Sequence, residues 1–192
     1  MFAQLLATPG VEEVVELRSP FGFMAFHGGS LERMTDVIAV RAADAASASV
    51  YAVVQPPELR WHIPSQRIGK ESSAGLRSFL DHVDVAVSLH GYGREGLWRT
   101  ILLGGSNRTL ADHLASWLQP ALPHLEVRVD LDAIPLPFRG VHPTNPVNMA
   151  SGGGVQIELP PGVRGLTPHR LSIDPLVDAL AAGARAWSTP AG

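Results

Sequence analysis

The sequence predicts an α/β sandwich, a mostly parallel or mixed sheet covered by helices. Strand-like segments rich in β-branched and apolar residues alternate with helical ones along most of the chain. Of its 192 residues 45% are hydrophobic and 17% charged, a balance suited to one large core. No repeat, heptad array or low-complexity tract interrupts that order, so one domain over residues 1–192 is expected.

In chain order, strands are expected at residues 11–17 and 21–26, a helix at 31–46 and a strand at 49–55. A helix at 73–82 leads into a strand at 83–89, followed by a short strand at 100–103. Thr109-Leu110-Ala111-Asp112 reads as a capping box, and Leu110, Leu114, Trp117, Leu118 and Ala121 fall on one face of the helix it opens. Residues 125–129 and 155–159 are strands. In the last helix Asp174 is expected to cap, with Pro175 at the first helical position and a buried stripe of Leu176, Ala179, Leu180, Ala184 and Trp187. Residues 132–154 carry Pro135, Pro137, Pro143, Pro146 and then Gly152-Gly153-Gly154 without any apolar period, the mark of a long irregular loop, and such loops are usually functional. Residues 160–167 form a second loop, and Pro190-Ala191-Gly192 is expected to be a frayed tail. All four tryptophans, Trp61, Trp98, Trp117 and Trp187, are expected to be core or half-buried.

A net charge of −3 excludes a nonspecific nucleic-acid binder, which needs a dense Lys/Arg surface. With no cysteine, disulfides, thiolate metal sites and a cysteine nucleophile are all excluded. Any metal must sit on His, Asp or Glu. The opening stretch MFAQLLATPGVEEVVEL lacks basic residues ahead of its short apolar run and soon meets Glu12 and Glu13, so neither a signal peptide nor a membrane span is expected and the location expected is cytoplasmic.

Ligands of open α/β sheets bind outside the carboxyl ends of the strands. Two strands end there in histidine followed by glycine: His27 after residues 21–26 and His90 after 83–89. A lone His-Gly at a strand end is ordinarily a turn histidine, but here Glu32 follows His27 by five positions across Gly28-Gly29. Two imidazoles and a carboxylate suit catalytic zinc, which takes about three protein ligands and keeps a fourth position open. Hydrolysis also needs a base. In GGGVQIELPPG strict alternation puts Val155, Ile157 and Leu159 on one face and Gln156 with Glu158 on the other, making Glu158 the candidate, unless it is the solvated face of an edge strand.

HGGSLE at residues 27–32, SLHG at 88–91 and GVQIEL at 154–159, with HIPS at 62–65, LGGSN at 103–107 and NPVN at 145–148, together resemble the poly-γ-glutamate hydrolase family of bacteria and their phages. The resemblance implies a three-layer α/β/α sandwich with a central mixed sheet, similar to the zinc carboxypeptidases. It implies one Zn²⁺ held by His27, Glu32 and His90, with Glu158 as general base, acting on a peptide or γ-glutamyl amide. Four residues separate His27 from Glu32, as in that family, whereas carboxypeptidases have two; Asn107-Arg108 follows His90, out of the carboxypeptidase order for an Asn-Arg carboxylate clamp. Around the metal, Arg139 is a candidate donor or carboxylate clamp because its planar fork matches a carboxylate. Arg94 and Tyr92 follow His90 and are candidates for the glutamyl side chain, Asn148 for a substrate carboxylate or amide, Gln156 for orienting Glu158 or the substrate, and His62 for the cleft wall. Arg94, Arg99, Arg108 and Arg139 could cluster to receive a polyanion. Without an expected export signal, an intracellular γ-glutamyl or N-acyl amide is an alternative to a capsule polymer reached after lysis. Two further alternatives stand: a non-haem iron enzyme using the same two histidines and carboxylate, and a binding or phage structural protein that kept the fold.

Overall fold

The computed structural model describes residues 1–167 and 169–188; the tail expected at 190–192 lies outside them. Among the described residues seven strands, β1 (Glu12–Glu16), β2 (Phe21–Gly29), β3 (Ser49–Gln55), β4 (Val85–Gly91), β5 (Thr100–Leu103), β6 (Glu126–Arg128) and β7 (Gly154–Leu159), form one mixed sheet in the order β1-β3-β2-β4-β7-β5-β6. β2 runs parallel to β3 and β4, and β4 runs parallel to β7, while β1 and β5 pair antiparallel with β3 and β7. The sheet is therefore parallel at its centre, where β2, β4 and β7 end side by side.

Among the described residues five α-helices cover it: α1 (Phe2–Leu6), α2 (Thr35–Ala46), α3 (Ala74–His82), α4 (Arg108–Ala121) and α5 (Asp174–Ala186). Alternation along the strands supplies two apolar faces. Phe23, Ala25, Val50, Ala52, Val87, Leu89, Val155 and Ile157 pack with Ile38, Leu114 and Leu180 of α2, α4 and α5. Met24, Phe26, Tyr51 and Val53 pack on the other side with Phe2 and Leu5 of α1 and Leu76 and Phe79 of α3. This is the expected three-layer sandwich. Among the described residues no helix is long and apolar enough to cross a membrane.

Several local expectations shift. α4 starts earlier than the capping box at Thr109, because Asn107 is the cap and its Oδ1 accepts from the Leu110 N–H at 2.8 Å. Asp174 is the first residue of α5 rather than its cap, and its carboxylate is occupied by Ser172 Oγ and Arg41. α2 begins at Thr35 instead of residue 31, so Glu32 lies in a turn ahead of the helix. Trp98 and Trp117 are 39% exposed, whereas Trp61 and Trp187 are half-buried.

Candidate metal centre

The parallel centre of the sheet brings three candidate side chains, His27, His90 and Glu158, to one edge. β4 and β7 pair with His90 opposite Glu158 and Ser88 opposite Gln156, which places all four on the same face. β7 lies between β4 and β5, so the edge-strand alternative for Glu158 falls: the residue is 5% exposed inside the sheet. His27 reaches this cluster by a different device. Strict alternation after Phe26 would send its ring to the opposite face, but the pairing register of β2 with β3 shifts between Ala25 and Gly28. Bulges of this kind re-aim side chains. The His27 ring then stands 5.2 Å from that of His90 and 4.7 Å from that of His62.

Both histidines lie within their strands rather than after them, and the turn comes at Gly28-Gly29. A Cβ on Gly28 would lie 2.5 Å from Asp36 Cβ, and one on Gly29, at φ +71, would overlap the Gln55 carbonyl. Asp36 Oδ1 accepts from the Gly29 N–H at 3.1 Å, and the Glu32 N–H donates to the His27 carbonyl at 2.8 Å. This closed turn swings Glu32 back over the strand end.

Glu32 is the hub. Its Oε1 is 2.9 Å from His27 Nδ1; its Oε2 is 3.3 Å from His90 Nδ1 and accepts from the Gly91 N–H at 2.9 Å. The other nitrogen of His27, Nε2, lies 2.9 Å from the Ile63 carbonyl, which can only accept, so Nε2 carries the hydrogen. In the neutral ring Nδ1 therefore points a lone pair at a carboxylate oxygen. That arrangement requires a proton or a cation between them, and it is how outer partners commonly present a histidine to a metal. His90 Nε2 is braced by Ser88 Oγ at 3.0 Å. The donor set thus fits a divalent cation.

The ligand-type atoms of His27, Glu32 and His62 all lie within 4.8 Å of one another, so His62, expected on the cleft wall, joins the donor cluster from its exposed side. The loop bearing it is pinned by buried Gln55, which donates to the Trp61 carbonyl and accepts from the Trp61 N–H. The sequence reading missed Gln55.

Electrostatics separate the two carboxylates. Burial acts to raise the Glu32 pKa, but His90 and His27 reverse this and hold it well below the usual carboxylate range. Burial pushes Glu158 up to about 7, with the Glu32 charge adding to the rise and His90 opposing it. Burial also acts to lower the His90 pKa, and the negative charges of Glu32 and Glu158 raise it on balance. His62 is lowered, by burial and by its histidine neighbours.

Glu158 is oriented by a directed chain. Asn145 Oδ1 accepts from the Val147 N–H, Asn145 Nδ2 donates to Gln156 Oε1 at 2.7 Å, and Gln156 Nε2 donates to Glu158 Oε1 at 2.9 Å. Gln156 is thus bonded to the carboxylate it was expected to orient. The remaining predicted residues are engaged elsewhere. Arg139 donates to Ile134 and Asp132 carbonyls of its own loop. Both ends of the Asn148 amide are spent on backbone, at Gly140, His142 and Ser106. The Tyr92 hydroxyl lies against the Leu97 and Thr100 carbonyls, and Arg94 is exposed with its guanidinium 6.0 Å from the Phe138 ring centroid. Arg99 and Arg108 bind yet other carbonyls, so the four arginines do not converge.

A three-layer sandwich with imidazoles and carboxylates gathered at parallel strand ends defines a carboxypeptidase-like hydrolase fold. Within that class, a family model for poly-γ-glutamate hydrolase matches residues 5–173, and the chain belongs to that family. Among solved structures, it resembles a bacteriophage poly-γ-glutamate hydrolase at TM-score 0.71 and 22% identity, over 93% of this chain and 88% of that one. A protein described as zinc-free YNDL gives TM-score 0.72 and 23% identity over 92% and 90%. A carboxypeptidase candidate from Burkholderia mallei gives 0.52 and 12% over 95% and 63%, a likeness of fold. No curated protein sequence matches.

Proposed function

We propose that this enzyme hydrolyses γ-glutamyl amide bonds, with one Zn²⁺ held by His27, Glu32 and His90 and with Glu158 as the base. The observation that carries the reading is the convergence of His27 Nδ1, at 2.9 Å, and His90 Nδ1, at 3.3 Å, on the Glu32 carboxylate, with His27 Nε2 held by the Ile63 carbonyl, so that three donors of the kind zinc takes meet at one place. Nitrogen and carboxylate donors with no thiolate suit zinc. Such an ion supplies a Lewis acid for the scissile carbonyl and makes water a better nucleophile near neutral pH.

The chain's own groups do the rest. Glu158 takes a proton from the attacking water as its oxygen bonds to the amide carbon, then delivers that proton to the nitrogen as the C–N bond breaks. Gln156 holds Oε1 of that carboxylate, leaving Oε2 to handle the proton. His90 is assigned as third ligand because it is 4% exposed and its Nδ1 faces Glu32; exposed His62 is assigned to the substrate side, where its lowered pKa keeps the ring neutral and able to donate. Because the candidate arginines do not converge, a short γ-glutamyl or N-acyl amide is the second reading, against a long polyanion.

The test measures metal content and hydrolysis of γ-linked glutamate oligomers of increasing length, for wild type, His90→Ala, His62→Ala and Glu158→Gln. Stoichiometric zinc lost in His90→Ala but kept in His62→Ala, with hydrolysis abolished by chelation, is expected. Iron in place of zinc, or unchanged turnover in Glu158→Gln at full metal occupancy, overturns the mechanism. Rates indifferent to oligomer length favour the small-amide reading.

A further inference from the structure

Arg164 is a charged side chain only 6% exposed, in the short turn Gly162–Arg164 that follows β7. Among the described residues it forms no ion pair within 4.0 Å, and its hydrogen bonds all go to main-chain carbonyls. Nη1 donates to Arg33 at 2.8 Å, Nε to Leu159 at 3.2 Å and Nη2 to Tyr92 at 3.4 Å. Arg33 adjoins Glu32, Leu159 adjoins Glu158, and Tyr92 is two residues past His90. One guanidinium therefore grips the three chain segments that carry the donor set and the base.

The fit is close. A Cβ on Gly91 would lie 2.5 Å from Nη1 and 2.6 Å from Cζ, so the guanidinium packs directly on the end of β4, whose Gly91 N–H donates to Glu32. Burying an arginine without a carboxylate bound to it is costly, and solvent would serve a merely structural arginine better. Its planar fork, with donors in fixed directions, can reach three carbonyls that a lysine ammonium cannot span together.

We propose that Arg164 is a positioning residue for the metal centre: it sets the spacing of Glu32, His90 and Glu158 by clasping the backbone beside each, without touching substrate. This rests on the metal-site reading above and adds a residue to it. The positive charge also lies near both carboxylates, whose fields offset part of the burial that lowers the arginine's own pKa.

The experiment measures Zn²⁺ affinity by competition with a chelating dye, together with kcat and KM on a γ-linked glutamate oligomer, for wild type, Arg164→Ala and Arg164→Lys. Arg164→Ala should weaken Zn²⁺ binding by about 10- to 100-fold, the range for partners that orient metal ligands. It should lower kcat at saturating zinc while KM moves little. Millimolar methylguanidinium should restore part of both, by refilling the space the guanidinium leaves against the Arg33, Leu159 and Tyr92 carbonyls. If Arg164→Ala does not fold, Arg164→Lys carries the test, with affinity weakened several-fold at an unchanged circular dichroism spectrum. Wild-type Zn²⁺ affinity in whichever variant folds overturns the proposal, as does a loss in Arg164→Ala that methylguanidinium leaves untouched. A wild type that binds no Zn²⁺ fails the metal-site reading itself; a wild type that binds it while the variants match it fails the clasp alone.

Discussion

The two faces of β4 and β7 are equally buried and chemically opposite. Val87, Leu89, Val155 and Ile157 look toward α2, α4 and α5 at 0% exposure, and Ser88, His90, Gln156 and Glu158 look the other way at 0–5%. One face meets only carbon; on the other, Ser88 braces His90, and Asn145 directs Gln156 onto Glu158. Burial alone therefore does not mark a core. Polar groups cost free energy to bury unless partnered, and a partnered set is still no better than a packed apolar one of the same shape. The polar face is kept for chemistry, and the apolar face holds the sheet that aims it.

The sharpest division is expected at neighbouring positions of one strand. Glu158→Gln should cut kcat by about 10²- to 10⁴-fold, equivalent to about 3–5 kcal/mol of transition-state stabilisation, while the thermal midpoint stays at or above that of wild type. Ile157→Ala, one residue earlier and facing the other way, should cost about 2–5 kcal/mol of unfolding free energy, read from urea titration, and leave kcat per folded molecule within a few-fold. Should the two variants lose activity and stability in equal proportion, the two faces would not be functionally distinct.

Much of this was legible in the sequence. β3 and β5 have the boundaries that apolar β-branched runs imply, and the other strands differ at their ends. His27, Glu32, His90 and Glu158 were legible because glycines and strand ends mark them. What was not legible depends on partners. Nothing in FMAFHGG reveals a register shift, since a bulge is defined against the neighbouring strand. α1 spans five residues, too short for helical periodicity to register. Arg164 in PPGVRG has loop composition, and its burial follows from three chain segments meeting around it. Arg139 and Asn148, expected at the substrate, hydrogen-bond the backbone of the loop they stand in, and that engagement could not be read from the sequence because it depends on how a long loop satisfies its own carbonyls.

The polar face should also leave a mark on stability. In the metal-free protein Glu158 has a pKa near 7 against an ordinary 4.5. Between those values the native state holds a proton that the unfolded chain releases. The group's contribution is thus fully present below pH 4.5 and lost as pH rises through 7. At 1.36 kcal/mol per pKa unit the loss amounts to about 3 kcal/mol. Unfolding titrations of wild type and Glu158→Gln in the presence of a chelator should diverge by that order between pH 4.5 and 7.5, with wild type falling. Parallel curves would mean that Glu158 is not held in a desolvating environment.

The smallest effect tests the direction of the chain behind Glu158. Val147 N–H fixes Asn145 Oδ1, so Asn145 must donate to Gln156, and Gln156 in turn must donate to Glu158. Asn145→Asp removes the donor and keeps the shape. Gln156 then has to turn its amide toward the new carboxylate, which presents its Oε1 to Glu158, acceptor against acceptor. Asn145→Ala leaves Gln156 free to keep its bond to Glu158. The aspartate variant should therefore be the worse of the two, by about 10-fold in kcat, or about 1.4 kcal/mol, the order of one intramolecular hydrogen bond. Its acidic limb in a kcat/KM–pH profile should move to higher pH, because Glu158 holds its proton more tightly next to an added negative charge. An alanine variant slower than the aspartate one, or an acidic limb that stays in place, would mean that the amides of Asn145 and Gln156 pack the loop without setting the charge state of the base.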